Sequence, residues 1–366
     1  MRRLLVLSLA GMIVLSACGT TQQTAVPTVV PAAPLANATA STTDLSSLKS
    51  YLLDSVATLK QSSAQLSAAS NQYYDLAKNT NFDYDALWSS RQQDTVAVIE
   101  QARAAWKQAS PGYERIEGLV AGVPSLAQFD IILDAGTSAA EGGNGVVPFD
   151  LTLADGRTLQ KPGNLFGITE RALWGTDAEY TAPAEADFNN NGALEFGEAL
   201  PEANVLKAGA EALDRYVGEL DAAAQGWQPN ESDAFTALVV MVPTMNEYFD
   251  SWKNSRFVAG EASTQNEFVA ISRLADIQDI LSGLEVVYDG VSPMVSTVDQ
   301  AQSQQIEQDL SGLKAFVADV HGKEQAGQKF TAEDADLLGS EAQNRATAIT
   351  GQLSQVAAKL NVAIQE

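Results

Sequence analysis

The chain has 366 residues, with 46 acidic against 22 basic side chains, a formal net charge of -24, one cysteine and one histidine. So acidic a surface repels nucleic acid and anionic lipid and suits cationic partners. A single thiol excludes disulfides within the chain and multi-cysteine metal sites, so the body must be held by its core.

The first elements in chain order are a leader and a tether. Arg2 and Arg3 precede an apolar run, Leu4 to Val14, interrupted only by Ser8 and Gly11. That is the shape of a secretory signal, too short to span a bilayer as a stable helix. It ends in Leu15-Ser16-Ala17-Cys18-Gly19, small residues before a cysteine. The expectation is a lipoprotein signal peptide over 1–17, cleaved before Cys18, with lipid on that cysteine holding the protein to a bacterial membrane. The body then works outside the cytoplasm. Gly19 lacks the acidic character that retains such proteins at an inner membrane, so the outer membrane or cell surface is expected. Residues 18–43, rich in Thr, Ala, Pro and Val, read as a flexible tether.

From Asp44 the pattern turns helical. Leu45, Leu48, Leu52, Val56, Leu59, Leu66, Tyr73 and Leu76 predict a long amphipathic helix over 44–78. A second stretch covers 83–120, with a break expected near Pro111-Gly112. A loop comes next at Gly142–Gly145, then a small β-hairpin within 146–159 around Asp155-Gly156. Helical patterns resume at 165–174, 202–224, 231–257, 265–289, 297–322 and 331–364, the last opened by Thr331 with Glu333 and Asp334. The expected fold is all-α: two packed helical-bundle units, 44–200 with the hairpin and a calcium loop, and 201–366.

The sharpest local motif is Asp187-Phe188-Asn189-Asn190-Asn191-Gly192-Ala193-Leu194-Glu195-Phe196-Gly197-Glu198, which fits the twelve-residue EF-hand loop. Asp187, Asn189 and Asn191 supply side-chain oxygens, Ala193 its carbonyl, and Glu195 a ligand bound directly or through water. Glu198 closes the site, Gly192 permits the bend, and Leu194 stands where such loops tuck a side chain inward. Oxygen ligands in this number select Ca²⁺. The competing reading is an acidic, Asn-rich surface turn. Thr176 to Ala186 contains Pro183 and makes a poor entering helix, so a single structural site is expected and not a switch.

Three groups of segments carry a resemblance. The first is Ala102-Arg103 with Tyr113-Glu114-Arg115-Ile116-Glu117. The second is Phe166-Gly167-Ile168-Thr169-Glu170-Arg171-Ala172-Leu173-Trp174-Gly175. The third runs from Glu247-Tyr248-Phe249 through Trp252-Lys253 and Ser272 to Ile277, ending at Gly283 to Gly290. In this order they resemble the imelysin-like family, which includes the extracytoplasmic iron-binding component of elemental ferrous-iron transporters. The resemblance implies paired helical bundles outside the cytoplasm, linked to uptake of iron or other metals. It also implies a Gly-x-His-x-x-Glu signature. Anchored on Leu173-Trp174, the signature Glu is Glu170, the His position is Gly167 and the Gly position is Leu165. Glu170 is therefore the carried-over metal ligand, with Glu117 a second candidate, and without the imidazole the site is a hard-oxygen one.

Other residues have bland readings beside sharp ones. His321 and Glu324 share a helical face, as ligands would, yet read as a solvated helix end. Asp130 and Asp134, one turn apart, suit cation binding or a solvated face. The stripe Phe235, Leu238, Val239, Val242, Met245, Phe249 and Trp252 reads as core. A peptidase is disfavoured by inventory: one histidine cannot complete a three-ligand zinc site and also act as base, and no Gly-x-Ser-x-Gly turn is present. Two readings remain open: a membrane-anchored binding lipoprotein that serves metal acquisition and carries structural Ca²⁺, and a calcium-stabilised envelope scaffold for protein or polymer partners.

Overall fold

In the computed structural model, residues 43–143 and 145–365 are described. The leader, Cys18 and the tether up to residue 42 lie outside them. Helix α1 (Ser46–Asn79) buries Leu48, Leu52, Val56, Leu59, Leu66 and Tyr73 on one face. Leu76 stays half-buried, and Ala77 takes the inner position. The Asp83 side chain accepts the Ala86 amide and opens α2 (Tyr84–Val120).

The break expected near Pro111-Gly112 is absent: α2 runs through it and bends instead at Arg91 (φ -137°, ψ 26°). Packing explains this. A Cβ on Gly112 would stand 4.0 Å from the Leu59 Cα, so α1 and α2 come close there. The neighbouring Ala109, Tyr113 and Ile116 are fully buried. Their burial outweighs the roughly 3 kcal/mol cost of an internal proline.

A short α3 (Ala127–Asp130) passes into one π-helical turn, Ile131–Ala135. Strands β1 (Leu151–Thr152) and β2 (Thr158–Leu159) form the expected hairpin, Leu151 opposite Leu159, turning at Gly156 with φ +90°. Helix α4 (Leu165–Trp174) is buried along its whole length. The Asn164 side chain caps it, and left-handed Gly175 ends it. Strands β3 (Thr181–Glu185) and β4 (Ala199–Pro201) pair antiparallel and carry residues 187–198 between them. Helix α5 (Ala203–Gly226) packs on α1 and α4.

The helix expected over 231–257 is divided at Pro243 (φ -82°, ψ 15°) into α6 (Glu231–Met241), a 3₁₀ turn and α7 (Met245–Asn254). Its apolar stripe is core, with only Val239 half-buried. After the short α8 (Arg256–Ala259), the helix expected from 265 begins only at Arg273 as α9 (Arg273–Val298), which continues through Pro293. Residues 263–272 are neither helix nor strand. Helix α10 (Gln300–Gln325) is capped by Asp299, and α11 (Ala332–Leu360) opens on a Thr331–Asp334 capping box. Helix α9 packs on α2, α6 and α10, while α11 packs on α7 and α10. The body is all-α apart from the two small strand pairs, and the described residues form one compact unit. Among the described residues no helix is long and apolar enough to cross a membrane.

Candidate metal centre

Glu114 and Glu117 stand three residues apart on the buried face of α2. The π-helical turn brings Asp134 to them. One carboxylate oxygen from each of the three lies within 4.8 Å of the others. Asp130 sits beside them and accepts the Tyr113 hydroxyl at 2.8 Å. From α7 the Tyr248 hydroxyl donates to Glu117 Oε1 at 2.7 Å. Helix α9 adds a guanidinium and a fifth carboxylate: Arg273 Nη1 lies 3.0 Å from Asp276 Oδ2 and 3.6 Å from Glu114 Oε1. Every one of these side chains is buried.

Burial and mutual repulsion push four of these carboxyls upward. Glu114 is raised well above its ordinary value by burial, then by Asp276, Asp134 and Glu117, with Arg273 opposing. Asp134 is raised likewise, by burial and then Glu117. Asp130 is pushed to about 7 by burial and Glu117, against the Tyr113 hydrogen bond. Asp276 reaches about 6, burial prevailing over Arg273. Burial alone would depress the Arg273 guanidinium, but Asp276, Glu114 and Asp134 outweigh it and hold it above its ordinary value. A cation among these groups would displace their protons.

Two carboxylate oxygens, Glu114 Oε2 and Glu117 Oε2, are buried with no hydrogen-bond partner among the described residues. Each orphan costs about 1–3 kcal/mol. Beside them a cleft of about 420 Å³ is lined by Glu117, Asp130, Asp134, Glu247, Tyr248 and Arg273, among others. The centre therefore offers hard oxygen donors, two of them unengaged, with a way in.

Glu170, carried over from the resemblance, is otherwise engaged. Its Oε2 accepts the Phe268 amide at 2.7 Å, and its Oε1 accepts the amides of Val269 and Ala270, each at 2.9 Å. Burial pushes it to about 7 against these three bonds. Glu170 thus pins residues 268–270 in the non-helical stretch where a helix from 265 was expected. Gly167, the signature's His position, has no room for a side chain: a Cβ there would meet the Glu267 carboxyl carbon at 2.4 Å. Glu267 is held in that place by Asn164 Nδ2 at 3.2 Å and Arg171 Nη2 at 3.3 Å. Glu117, the second candidate, lies in the carboxylate group itself.

The 187–198 loop hangs on a β-ribbon and has no flanking helix on its N-terminal side. Asp187 accepts the amides of Asn191 and Gly192, Asn189 that of Asn191, and Asn191 that of Ala193. The Asn189 and Asn191 bonds are successive Asx turns, with Gly192 at φ +85°. Glu198 reaches back to the amides of Phe188, Asn189 and Glu195. Glu195 accepts from the Asn189 side chain at 3.2 Å. Phe188 stacks on Trp88, and Arg103 donates to the carbonyls of Gly197 and Leu173, tying the loop to α2 and α4. Leu194 is not tucked inward: it is 55% exposed, because no second loop or helix covers it.

His321 is held by Gln278 and Gln325, while Glu324 accepts the Trp252 indole at 2.6 Å. That pair is part of the helix packing. Sequence reasoning did not single out Glu114, Arg273, Asp276 and Tyr248 as a site. The signal for them was charge falling on buried helical stripes, Glu114 beside Tyr113 and Arg273 beside Leu274, where solvated faces do not lie.

Compared with known protein families, the chain matches the family model described as imelysin over residues 47–356. No curated protein matches it.

Proposed function

The chain belongs to the imelysin family, and from that premise we propose that it is a binding protein that holds a hard metal cation among Glu114, Glu117 and Asp134. In this reading the body is tethered outside the cytoplasm by lipid on Cys18 and serves metal acquisition, iron included. The observation that carries it is the pair of orphaned carboxylate oxygens, Glu114 Oε2 and Glu117 Oε2, on two residues that share a buried carboxylate cluster with Asp134. A cation supplies in one step what both oxygens lack and what relieves the repulsion around them. Asp130 and Asp276 stand as further oxygen donors, and the tyrosines orient the ligands as outer-shell partners do.

Elemental analysis of protein purified without chelators, followed by equilibrium dialysis against Fe²⁺, Fe³⁺, Mn²⁺ and Zn²⁺ with calcium present, tests the proposal. About one bound ion per chain is expected. Glu117→Gln or Asp134→Asn should weaken retention by at least about tenfold. Unchanged retention in both variants would remove the centre from the account.

A second site is supported by the Asx turns at 187–198, which already have the form a calcium loop needs. We assign it structural Ca²⁺, bound by Asp187, Asn189, Asn191, the Ala193 carbonyl, Glu195 and Glu198. If calcium chelation releases envelope partners while the buried centre holds no metal, the scaffold reading prevails.

A further inference from the structure

The buried centre leaves a third atom unsatisfied. Besides the two carboxylate oxygens, Arg273 Nε is buried with no partner among the described residues. The oxygens are acceptors and the nitrogen is a donor, so a cation that serves the first two leaves the third worse off. Arg273 Nε lacks an acceptor, and a guanidinium N–H bonds most strongly to an oxygen carrying negative charge.

The guanidinium cannot turn to find one within the protein. Its carbon lies 3.8 Å from the Phe268 ring centre and 4.9 Å from that of Tyr248, which confines its plane. Its ion pairs with Asp276 and Glu114 both run through Nη1. Any partner for Nε must therefore enter in that plane, from outside the described residues. Arg273, Phe268, Tyr248, Glu117 and Asp134 all line the cleft of about 420 Å³. A water occupies about 30 Å³ of liquid volume, so the cleft is far larger than one ion with a few waters requires.

Resting on the metal reading above, we propose that the centre takes its cation together with an oxyanion of the carboxylate or carbonate class. One oxygen of this anion coordinates the metal, and an oxygen of it accepts from Arg273 Nε. The ligand is a metal–carboxylate or metal–carbonate complex, and Arg273 is the residue that selects it. The metal supplies the positive charge that makes an anion tolerable among five carboxylates, so anion binding requires the metal.

Dual-label retention tests this. The full body is loaded with radioactive iron in three arms: with ¹⁴C-citrate, with ¹⁴C-bicarbonate, and as aquo Fe²⁺ under argon with neither. Carbon label is expected at about one per bound iron in one of the first two arms, identifying the source, and absent when iron is omitted. Arg273→Met should lower the carbon label per retained iron by at least about tenfold; its fold is checked by circular dichroism. If that variant does not fold, the wild-type arms with and without iron decide. Iron retained without carbon label in every arm overturns the oxyanion and leaves the metal reading standing. Carbon label retained without iron, or equally by folded Arg273→Met, also overturns the oxyanion. Retention of neither label overturns the metal reading and with it this inference.

Discussion

Two regions of the molecule gather oxygen donors in opposite ways. Residues 187–198 do so within twelve consecutive positions at the surface, and the Asp187, Asn189, Asn191 and Glu198 oxygens are each engaged by backbone amides. The centre at Glu114, Glu117 and Asp134 draws on two separated segments, with α7 and α9 closing over it. It buries its carboxylates beside a cleft and leaves two oxygens without a partner among the described residues. The difference is one of burial. The loop lies largely open to solvent, whereas burial and repulsion hold Glu114, Asp134, Asp130 and Asp276 above the ordinary carboxylate range. The loop is a preformed turn that a cation would stiffen; the centre is a stressed one that a cation would relax.

The largest test of this contrast combines Glu117→Gln with Asp134→Asn. In metal the pair should abolish the stabilisation that metal gives. In chelator it should raise the melting temperature, because repulsion is relieved. A melting temperature lowered equally in both conditions would break the comparison.

The next test is pH dependence in chelator. Asp130 and Glu170 titrate at about 7 and Asp276 at about 6, above ordinary values of 3.8, 4.5 and 3.8. Between the ordinary and the raised values the folded chain binds more protons than the unfolded one. Stability should therefore fall as pH rises from about 4.5 to about 7. Melting curves that climb with pH across that window would contradict the buried repulsion.

A smaller effect is expected at the loop. Glu198→Gln should lower the melting temperature by a few degrees, on the order of 1 kcal/mol, and only with Ca²⁺ present. Identical melting of both proteins in calcium would strip the loop of its ion. The smallest sharpens the packing beside the centre. Gly167→Ala forces Glu267 aside and should cost about 1 kcal/mol. Glu267→Ala should recover most of that cost, a coupling that a double-mutant cycle reads directly.

The same contrast explains what was legible in the sequence. The loop, the Thr331 cap and the Leu48–Tyr73 stripe are local patterns, so spacing alone placed them. Glu117 was reachable through the family resemblance, while Glu114 was passed over although it stands three residues away. Nothing local announces that Asp276 and Arg273 will face them across a helix pair. Glu170 misled for a physical reason: a buried carboxylate serves as readily to cap three amides as to hold an ion, and only the position of residues 268–270 decides between them. Pro111 misled in the same way, since the close approach of α1 to Gly112 is invisible along one chain.

The π-helical turn at Ile131–Ala135 makes segment length as decisive as segment chemistry. A residue added to or taken from a helix rotates every later side chain by about 100°. Excising a single position between Asp130 and Asp134 would restore ordinary pitch and swing the later carboxylate around the axis. Such a chain would keep all five acids of the centre and still carry Asp134 out of line with Glu114 and Glu117.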